Sequence, residues 1–133
     1  MSFLRVLSSV ILIVIILFAV YQAYLWFLRK RSAQMISAMD LNERIRKLQL
    51  VDVREAAEFD REHILGARNI PFTQFKMRSG EIRRDLPVCL YDEGGNHLTS
   101  RAAGILKKQG HSQVYILTGG LEKWFGKTKS NLS

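Results

Sequence analysis

The sequence predicts an α/β domain with a small, mostly parallel sheet, preceded by one transmembrane helix. Three short and nearly continuous apolar runs, at 50–53, 87–91 and 114–117, are typical of strands that are buried on both faces. A helical pattern at 98–109 separates the second run from the third, and this alternation is typical of a compact α/β domain. Ahead of the domain, residues 6–28 form an uncharged and strongly apolar stretch.

The stretch at 6–28 is long enough, as a helix, to cross a hydrocarbon core of about 30 Å. The core helix of a soluble protein would carry polar residues on one face, and none recur here at helical spacing. A cleaved secretory signal would have a shorter apolar run followed by small residues. Large aromatic residues stand in that place instead, namely Tyr21, Tyr24, Trp26 and Phe27. The sequence therefore predicts an anchor that stays attached, with an aromatic belt at the interface.

The charges that flank the span predict its orientation. Arg5 precedes the span, whereas Arg29, Lys30 and Arg31 follow it. Because positive residues stay on the cytoplasmic side, we expect residues 1–5 outside, a basic juxtamembrane linker at 29–34, and a cytoplasmic carboxyl-terminal domain. The predicted localisation is a single-pass protein of the cell membrane. The single cysteine, Cys89, agrees with this, because small secreted domains more often carry paired cysteines.

The net charge of +8, together with the distribution of the basic residues, indicates which classes of partner the chain can bind. Basic residues of the domain are scattered among acidic ones, whereas a nucleic-acid-binding surface would show a clustered basic stripe with interleaved aromatic residues. The sequence therefore argues against nucleic acid. The predicted partners are the lipid bilayer, which attracts the residues at 29–31, and a membrane or cytoplasmic protein.

We place the α/β domain at 35–126 and a polar, frayed tail at 127–133. Asp40 and Glu43 have the spacing of a capping pair for the first helix of the domain. Gly119 and Gly120 are predicted to open a last short helix that carries Trp124.

Three blocks of the domain form a recognisable series, namely VDVREAAEFDREHILGARNIPF at 51–72, PVCLYDEGGNHLTSRAAGILKKQG at 87–110 and VYILTGGLEKW at 114–124. In this order and at these separations, the three blocks resemble the rhodanese family. The resemblance implies a three-layer α/β/α fold. It also implies sulfur transfer by a cysteine at the end of a strand, where inward backbone N–H groups and a helix amino terminus stabilise a persulfide or thiosulfate anion.

Within the first block, Asp52 and Arg54 are interpreted as a structural ion pair or loop anchor, and His63 as a structural hydrogen-bonding residue. Glu62 stands where the family usually has glycine, so we expect different backbone angles at that turn.

The second block lacks the cysteine of the family. Its active-site-like loop consists of Asp92, Glu93, Gly94, Gly95, Asn96 and His97. Counting forward from the strand puts Asp92 at the position of the nucleophile, whereas counting backward from Ala102 puts Glu93 there. Either acid is expected to satisfy the inward N–H groups as a built-in anion, unless the loop is open and both acids are solvated.

Other chemistry at the loop has weak support in the sequence. Cys89 lies inside a predicted strand, where burial disfavours its thiolate. Phosphoryl transfer through an aspartate needs further carboxylates for magnesium, and the cysteine phosphatases of related fold need a loop arginine, whereas Arg101 falls in the helix. Asp92 and His97 are too few ligands for a metal site, so we expect no metal and no cofactor.

The sequence thus predicts a membrane-anchored, cytoplasm-facing domain without sulfurtransferase activity that acts as a binding or regulatory module. The alternative is a thiosulfate or persulfide sulfurtransferase, or a sulfur carrier, that acts through Cys89 or a partner's thiol. A third possibility is a scaffold that docks a membrane partner through the acidic side chains of its loop.

Overall fold

The computed structural model describes residues 2–31 and 33–132, and these two ranges belong to two separate compact units. The first unit is a single helix, α1, at Phe3–Arg31. By length and composition its segment Phe3–Phe27 could cross a membrane, and an 18-residue window within this segment has a mean hydropathy of 2.8. The helix therefore begins earlier than the predicted span and continues through the basic residues that were expected to form part of a linker.

The second unit contains seven strands and four helices within the described residues. In chain order they are β1 Gln34–Ile36, α2 Ala38–Arg44, β2 Gln49–Asp52, α3 Ala56–Arg61, β3 His63–Ile64, β4 Arg68–Asn69, α4 Phe72–Arg78, β5 Val88–Tyr91, α5 His97–Lys108, β6 Val114–Leu117 and β7 Thr128–Lys129. Short 3₁₀ helices follow α2, α4 and β6, at Ile45–Lys47, Ser79–Glu81 and Gly120–Lys123.

The main sheet has five strands in the order β1-β6-β5-β2-β4, and every pairing between them is parallel. The expected α/β fold with a mostly parallel sheet is confirmed. Since the carboxyl ends of parallel strands lie at one edge of a sheet, the residues that follow β2 and β5 meet there. A separate antiparallel pair joins β3 to β7.

Side chains of the central strands alternate between two buried clusters, one on each face of the sheet. In β5, Val88 and Leu90 belong to the cluster that also contains Phe75 of α4 and Leu106 of α5. Cys89 and Tyr91 belong to the other cluster, which contains Leu41 of α2. Burial on both faces explains why these strands read as continuous apolar runs.

Two local expectations were wrong. The cap of α2 is Ser37, whose hydroxyl accepts a hydrogen bond from the backbone N–H of Asp40 at 3.1 Å, so Asp40 lies in the first turn and does not cap the helix. The 3₁₀ helix after Gly119 ends at Lys123, and Trp124 follows it. Positive φ angles of 79° and 55° at Gly119 and Gly120 explain the double glycine of this turn.

The tail, predicted to be frayed, contains strand β7. Lys129 pairs with His63 and Thr128 with Ile64, while the carbonyl of Lys127 accepts hydrogen bonds from Leu65 N–H at 3.0 Å and from the indole N–H of Trp124 at 3.3 Å. The period-2 signal of a two-residue strand is too short to detect in the sequence, which is why β7 was missed.

We predict that ending the chain after Gly126 destabilises the domain more than ending it after Lys129 does. The shorter chain loses the bonds to Lys127 and the β3–β7 pairing, and each such hydrogen bond contributes about 1 kcal/mol. The longer chain keeps these bonds and loses the hydrogen bonds of Ser130 and Asn131 with Asp60, which lie at exposed positions. Urea unfolding of the two truncated chains measures the difference, and equal stabilities would contradict a structural role for β7.

Candidate functional site

The candidate site is the loop at 92–97, which connects β5 to α5 and which we call the Asp92 loop. Asp92 follows β5 directly, and its side chain is 5% exposed. Its Oδ1 accepts hydrogen bonds from the backbone N–H groups of Gly94 at 2.9 Å and Asn96 at 3.3 Å. The loop therefore curls its backbone donors around a carboxylate that belongs to the chain itself.

The amino terminus of α5 lies directly behind this carboxylate. Asn96 has φ 62° and precedes the first helical residue, His97, and its side chain does not cap the helix. The positive end of a helix dipole favours a negative group nearby, so α5 and the two N–H donors act in the same direction on Asp92. Asn96 Oδ1 and Thr99 Oγ1 are buried here without a hydrogen-bond partner in the part of the chain that the structure describes.

The double glycine packs against the Asp92 loop. Leu121 N–H donates to the carbonyl of Asp92 at 2.9 Å, and Glu122 N–H donates to that of Glu93 at 3.1 Å. A side chain at Gly120 would press on the carbonyl of Asp92 and would lie 2.8 Å from the backbone nitrogen of Gly94. Glycine is needed at this position for close approach as well as for its positive φ.

Glu93, the other candidate acid, points away from the loop interior. Its side chain is 59% exposed, and Oε2 lies 2.8 Å from the guanidinium of Arg54. Arg54 is 6% exposed and is held mainly by Asp52, through contacts of 2.9 Å to 3.2 Å, with a further hydrogen bond to the carbonyl of Glu62. A buried charge pair with these additional hydrogen bonds is well compensated.

His63 and Glu62 have structural surroundings. The Nδ1–H of His63 donates to the carbonyl of Phe59 at 2.7 Å, and its ring stacks on the Phe59 ring at 3.7 Å. His63 is 4% exposed, as a residue of β3 that packs under α3 would be. Glu62 has φ −165°, an extended conformation that any residue adopts, so glycine is not required there.

The thiol of Cys89 lies inside the core and not in the loop. Cys89 is fully buried in β5, and this burial raises the pKa of its thiol to about 12. At neutral pH it is therefore a thiol and not a nucleophilic thiolate. Two positions further along the strand, burial and the negative charge of Asp52 also raise the pKa of Tyr91, whose hydroxyl oxygen accepts a hydrogen bond from Ile64 N–H at 3.0 Å.

A cleft of about 500 Å³ opens beside the Asp92 loop. The cleft is lined by basic, acidic and apolar side chains, namely Arg54, Glu58, Arg61, Glu62, Glu93 and Leu121. Within residues 2–31 and 33–132, no group of three His, Cys, Asp or Glu side chains is arranged to hold a metal ion.

The fold brings the side chains of Asp52, Arg54 and Glu93 into contact. The carboxylate of Asp92 is bonded to the backbone of the loop instead. His97 is exposed at the start of α5, and Arg101 lies further along that helix, 4.9 Å above the ring of Phe72. Sequence reasoning missed the contact between Glu93 and Arg54, since the two residues are far apart in the chain. The shared sheet edge of β2 and β5 was the only available signal.

Comparison with known proteins identifies the same family that the three sequence blocks resemble. The Rhodanese-like domain family matches residues 37–127. The uncharacterized protein YqhL of Bacillus subtilis is 41% identical over 123 residues, which cover 92% of this chain and 97% of that protein. The thiosulfate sulfurtransferase GlpE of Coxiella burnetii is 31% identical over 91 residues, which cover 67% of this chain and 84% of that protein.

Among solved structures, the Alr3790 protein from Anabaena sp. superposes with a TM-score of 0.66 and 25% sequence identity. The match covers 74% of this chain and 94% of that chain. The domain therefore matches almost the whole of that crystallised chain.

We predict that Asp92→Ala destabilises the domain more than Glu93→Ala does. The first change leaves two backbone donors unpaired, which costs about 1–3 kcal/mol. The second removes one partly buried ion pair whose carboxylate is exposed, which we expect to cost about 1 kcal/mol, and Arg54 keeps its bonds to Asp52. Denaturant unfolding of both variants measures the costs.

Sulfate or phosphate should raise the melting temperature of Asp92→Ala, because an anion can take the vacated place, and it should leave the parent and Glu93→Ala unchanged. Asp92→Asn is the matched control, since its amide oxygen still accepts a hydrogen bond. If Asp92→Ala is neutral and insensitive to anions, the carboxylate does not hold the loop.

Proposed function

The chain belongs to the rhodanese-like family, and we propose that it is a membrane-anchored, cytoplasm-facing member without sulfurtransferase activity that acts as a binding or regulatory module. One observation carries the proposal. The carboxylate of Asp92 occupies the loop's N–H donors at the end of β5, where a sulfurtransferase needs a thiolate. A carboxylate cannot carry a sulfane sulfur, so the loop keeps its shape without its chemistry.

The geometry favours Asp92 over Glu93 as the residue in the place of the nucleophile. Asp92 is the first residue after β5 and is buried under the loop's donors, whereas Glu93 is exposed and paired with Arg54. Glu93 is then free to serve recognition, since its second carboxylate oxygen has no hydrogen bond within the described residues. The mixed charges of the cleft beside it suit a protein partner that presents both signs of charge.

A sulfurtransferase or sulfur carrier is the second candidate, because GlpE of Coxiella burnetii is a thiosulfate sulfurtransferase. This function would need Cys89, or a partner's thiol, as the sulfur acceptor. The burial of Cys89 and its pKa of about 12 argue against direct attack on thiosulfate by that residue.

We predict that purified residues 32–133 transfer no sulfur from thiosulfate to cyanide above the level of a Cys89→Ala control. The folded chain should gain no sulfur mass on incubation with thiosulfate, and Cys89 should react with a thiol reagent at pH 8 only after unfolding, because it is buried in the core and this burial raises its pKa to about 12. Intact-mass spectrometry and cyanide turnover measure both outcomes.

An Asp92→Cys variant supplies the positive control for this assay, since it puts a thiol among the same N–H donors. It should acquire a persulfide that the parent does not form. Turnover by the parent that disappears in Cys89→Ala would instead establish the second candidate.

The anchor and its orientation give a separate prediction. A reporter fused after Ser133 should be cytoplasmic, and a label applied to intact cells should reach the amino terminus, because three basic residues follow the span and one precedes it. Digestion of the carboxyl-terminal domain by protease added to intact cells would contradict this orientation.

The binding function can be tested with the loop residues themselves. Crosslinking in the native membrane should attach a partner protein to the parent, and Glu93→Lys should reduce the yield of that adduct. Asp85→Lys is a matched control, because Asp85 is also an exposed acid in an ion pair with arginine. An equal yield from both variants would exclude the cleft as the binding site.

A further inference from the structure

A second groove, of about 590 Å³, opens between the end of α2 and the chain that leads into β7. None of its lining residues belongs to the Asp92 loop or to the cleft beside that loop. They are Asn42, Ile45, Arg46, Leu65, Gly66, Trp124, Gly126 and Lys127. An assignment for this groove therefore stands independently of the function of the loop.

The charge of this groove has one sign. Its charged lining residues are Arg46 and Lys127, whereas the cleft beside the Asp92 loop contains three glutamates. Both basic side chains are exposed to solvent. The groove is therefore complementary to an anionic ligand.

Apolar side chains stand next to these cations. Leu65 is 46% exposed and Phe125 is 61% exposed. The ring of Phe125 stacks on Trp124 at 5.5 Å, and Trp124 and Ile45 pack from below against the buried cluster around Leu41. Leu65 is linked to the same region through its N–H bond to Lys127. The buried core of the domain thus supports these apolar side chains through Trp124 and Ile45.

We propose that this region, the Trp124 surface, binds the anionic headgroups of a lipid bilayer; it consists of Ile45, Arg46, Leu65, Trp124, Phe125 and Lys127. Tryptophan favours the boundary between headgroups and acyl chains, and Arg46 and Lys127 contact lipid phosphates. Leu65 and Phe125 enter the outer part of the acyl region.

The chain itself supplies the reason to choose lipid over an acidic polypeptide. Phe3–Phe27 could cross a membrane, and β1 begins three residues after α1 ends. The chain therefore tethers the domain to any bilayer that contains α1. An acidic protein, in contrast, would have to bind from solution.

The test uses residues 33–133, which contain a single tryptophan, Trp124, because the other is Trp26. This part is a separate compact unit with its own core, and the domain matches 94% of the crystallised Alr3790 chain. Vesicles of phosphatidylcholine, alone or mixed with phosphatidylglycerol, are the probe. Trp124 emission should shift to the blue, and brominated lipid should quench it, only when phosphatidylglycerol is present, and both effects should weaken with salt.

Matched variants connect the signal to the surface. The double variant Arg46→Glu and Lys127→Glu should lower partitioning at least about tenfold, since each basic residue contributes to attraction by anionic lipid. Leu65→Ser and Phe125→Ser should reduce quenching by brominated lipid. Lys108→Glu and Met77→Ser make the same kinds of change at exposed positions outside the surface and should bind as the parent does.

The full chain provides the second arm. With Trp26→Phe and reconstitution into bilayers, brominated lipid should quench Trp124 in anionic membranes more than in neutral ones. Absence of a shift at every phosphatidylglycerol content, or equal binding by the Glu double variant, overturns the proposal. Binding of an acidic aromatic peptide in place of vesicles would likewise overturn it, and would assign the groove to a protein partner.

Discussion

The site depends on the hydrogen bonds of the Arg54 guanidinium, because these bonds connect three segments that are distant in the chain. The guanidinium binds Asp52 at the end of β2, the carbonyl of Glu62 before β3 and the side chain of Glu93 after β5. A planar group with five donors can satisfy three acceptors at fixed angles, which the ammonium of a lysine cannot do. The ends of two neighbouring parallel strands are thereby fixed relative to the segment that enters β3.

The Asp92 loop is held from the opposite side by the chain that follows β6. Two backbone hydrogen bonds from Leu121 and Glu122 reach its carbonyls, and Gly120 leaves room for them. The loop thus has a support that does not involve its own side chains. Because these bonds are made by backbone groups, the support does not depend on which side chain stands at position 92. The positive end of the α5 helix dipole stabilises a negative side chain at this position, whether that side chain is a thiolate or a carboxylate.

The parts that the sequence predicted well share a physical cause. The strands β2, β5 and β6 are buried on both faces, so their apolar runs are unambiguous, and Gly110 marks the end of α5 by its positive φ. The choice between Asp92 and Glu93 depended on which side chain turns inward, and only the backbone of the loop decides that. Strand β7 and the Glu93–Arg54 contact depend on pairings across many residues, which a local pattern does not encode.

A carboxylate that is part of the chain changes what the Asp92 loop can respond to. An intramolecular group competes at an effective concentration on the order of millimolar or higher, whatever the surrounding solution contains. Small anions at lower concentrations therefore do not displace Asp92 from Gly94 and Asn96. The loop therefore presents the same surface over a wide range of anion concentrations in the surrounding solution.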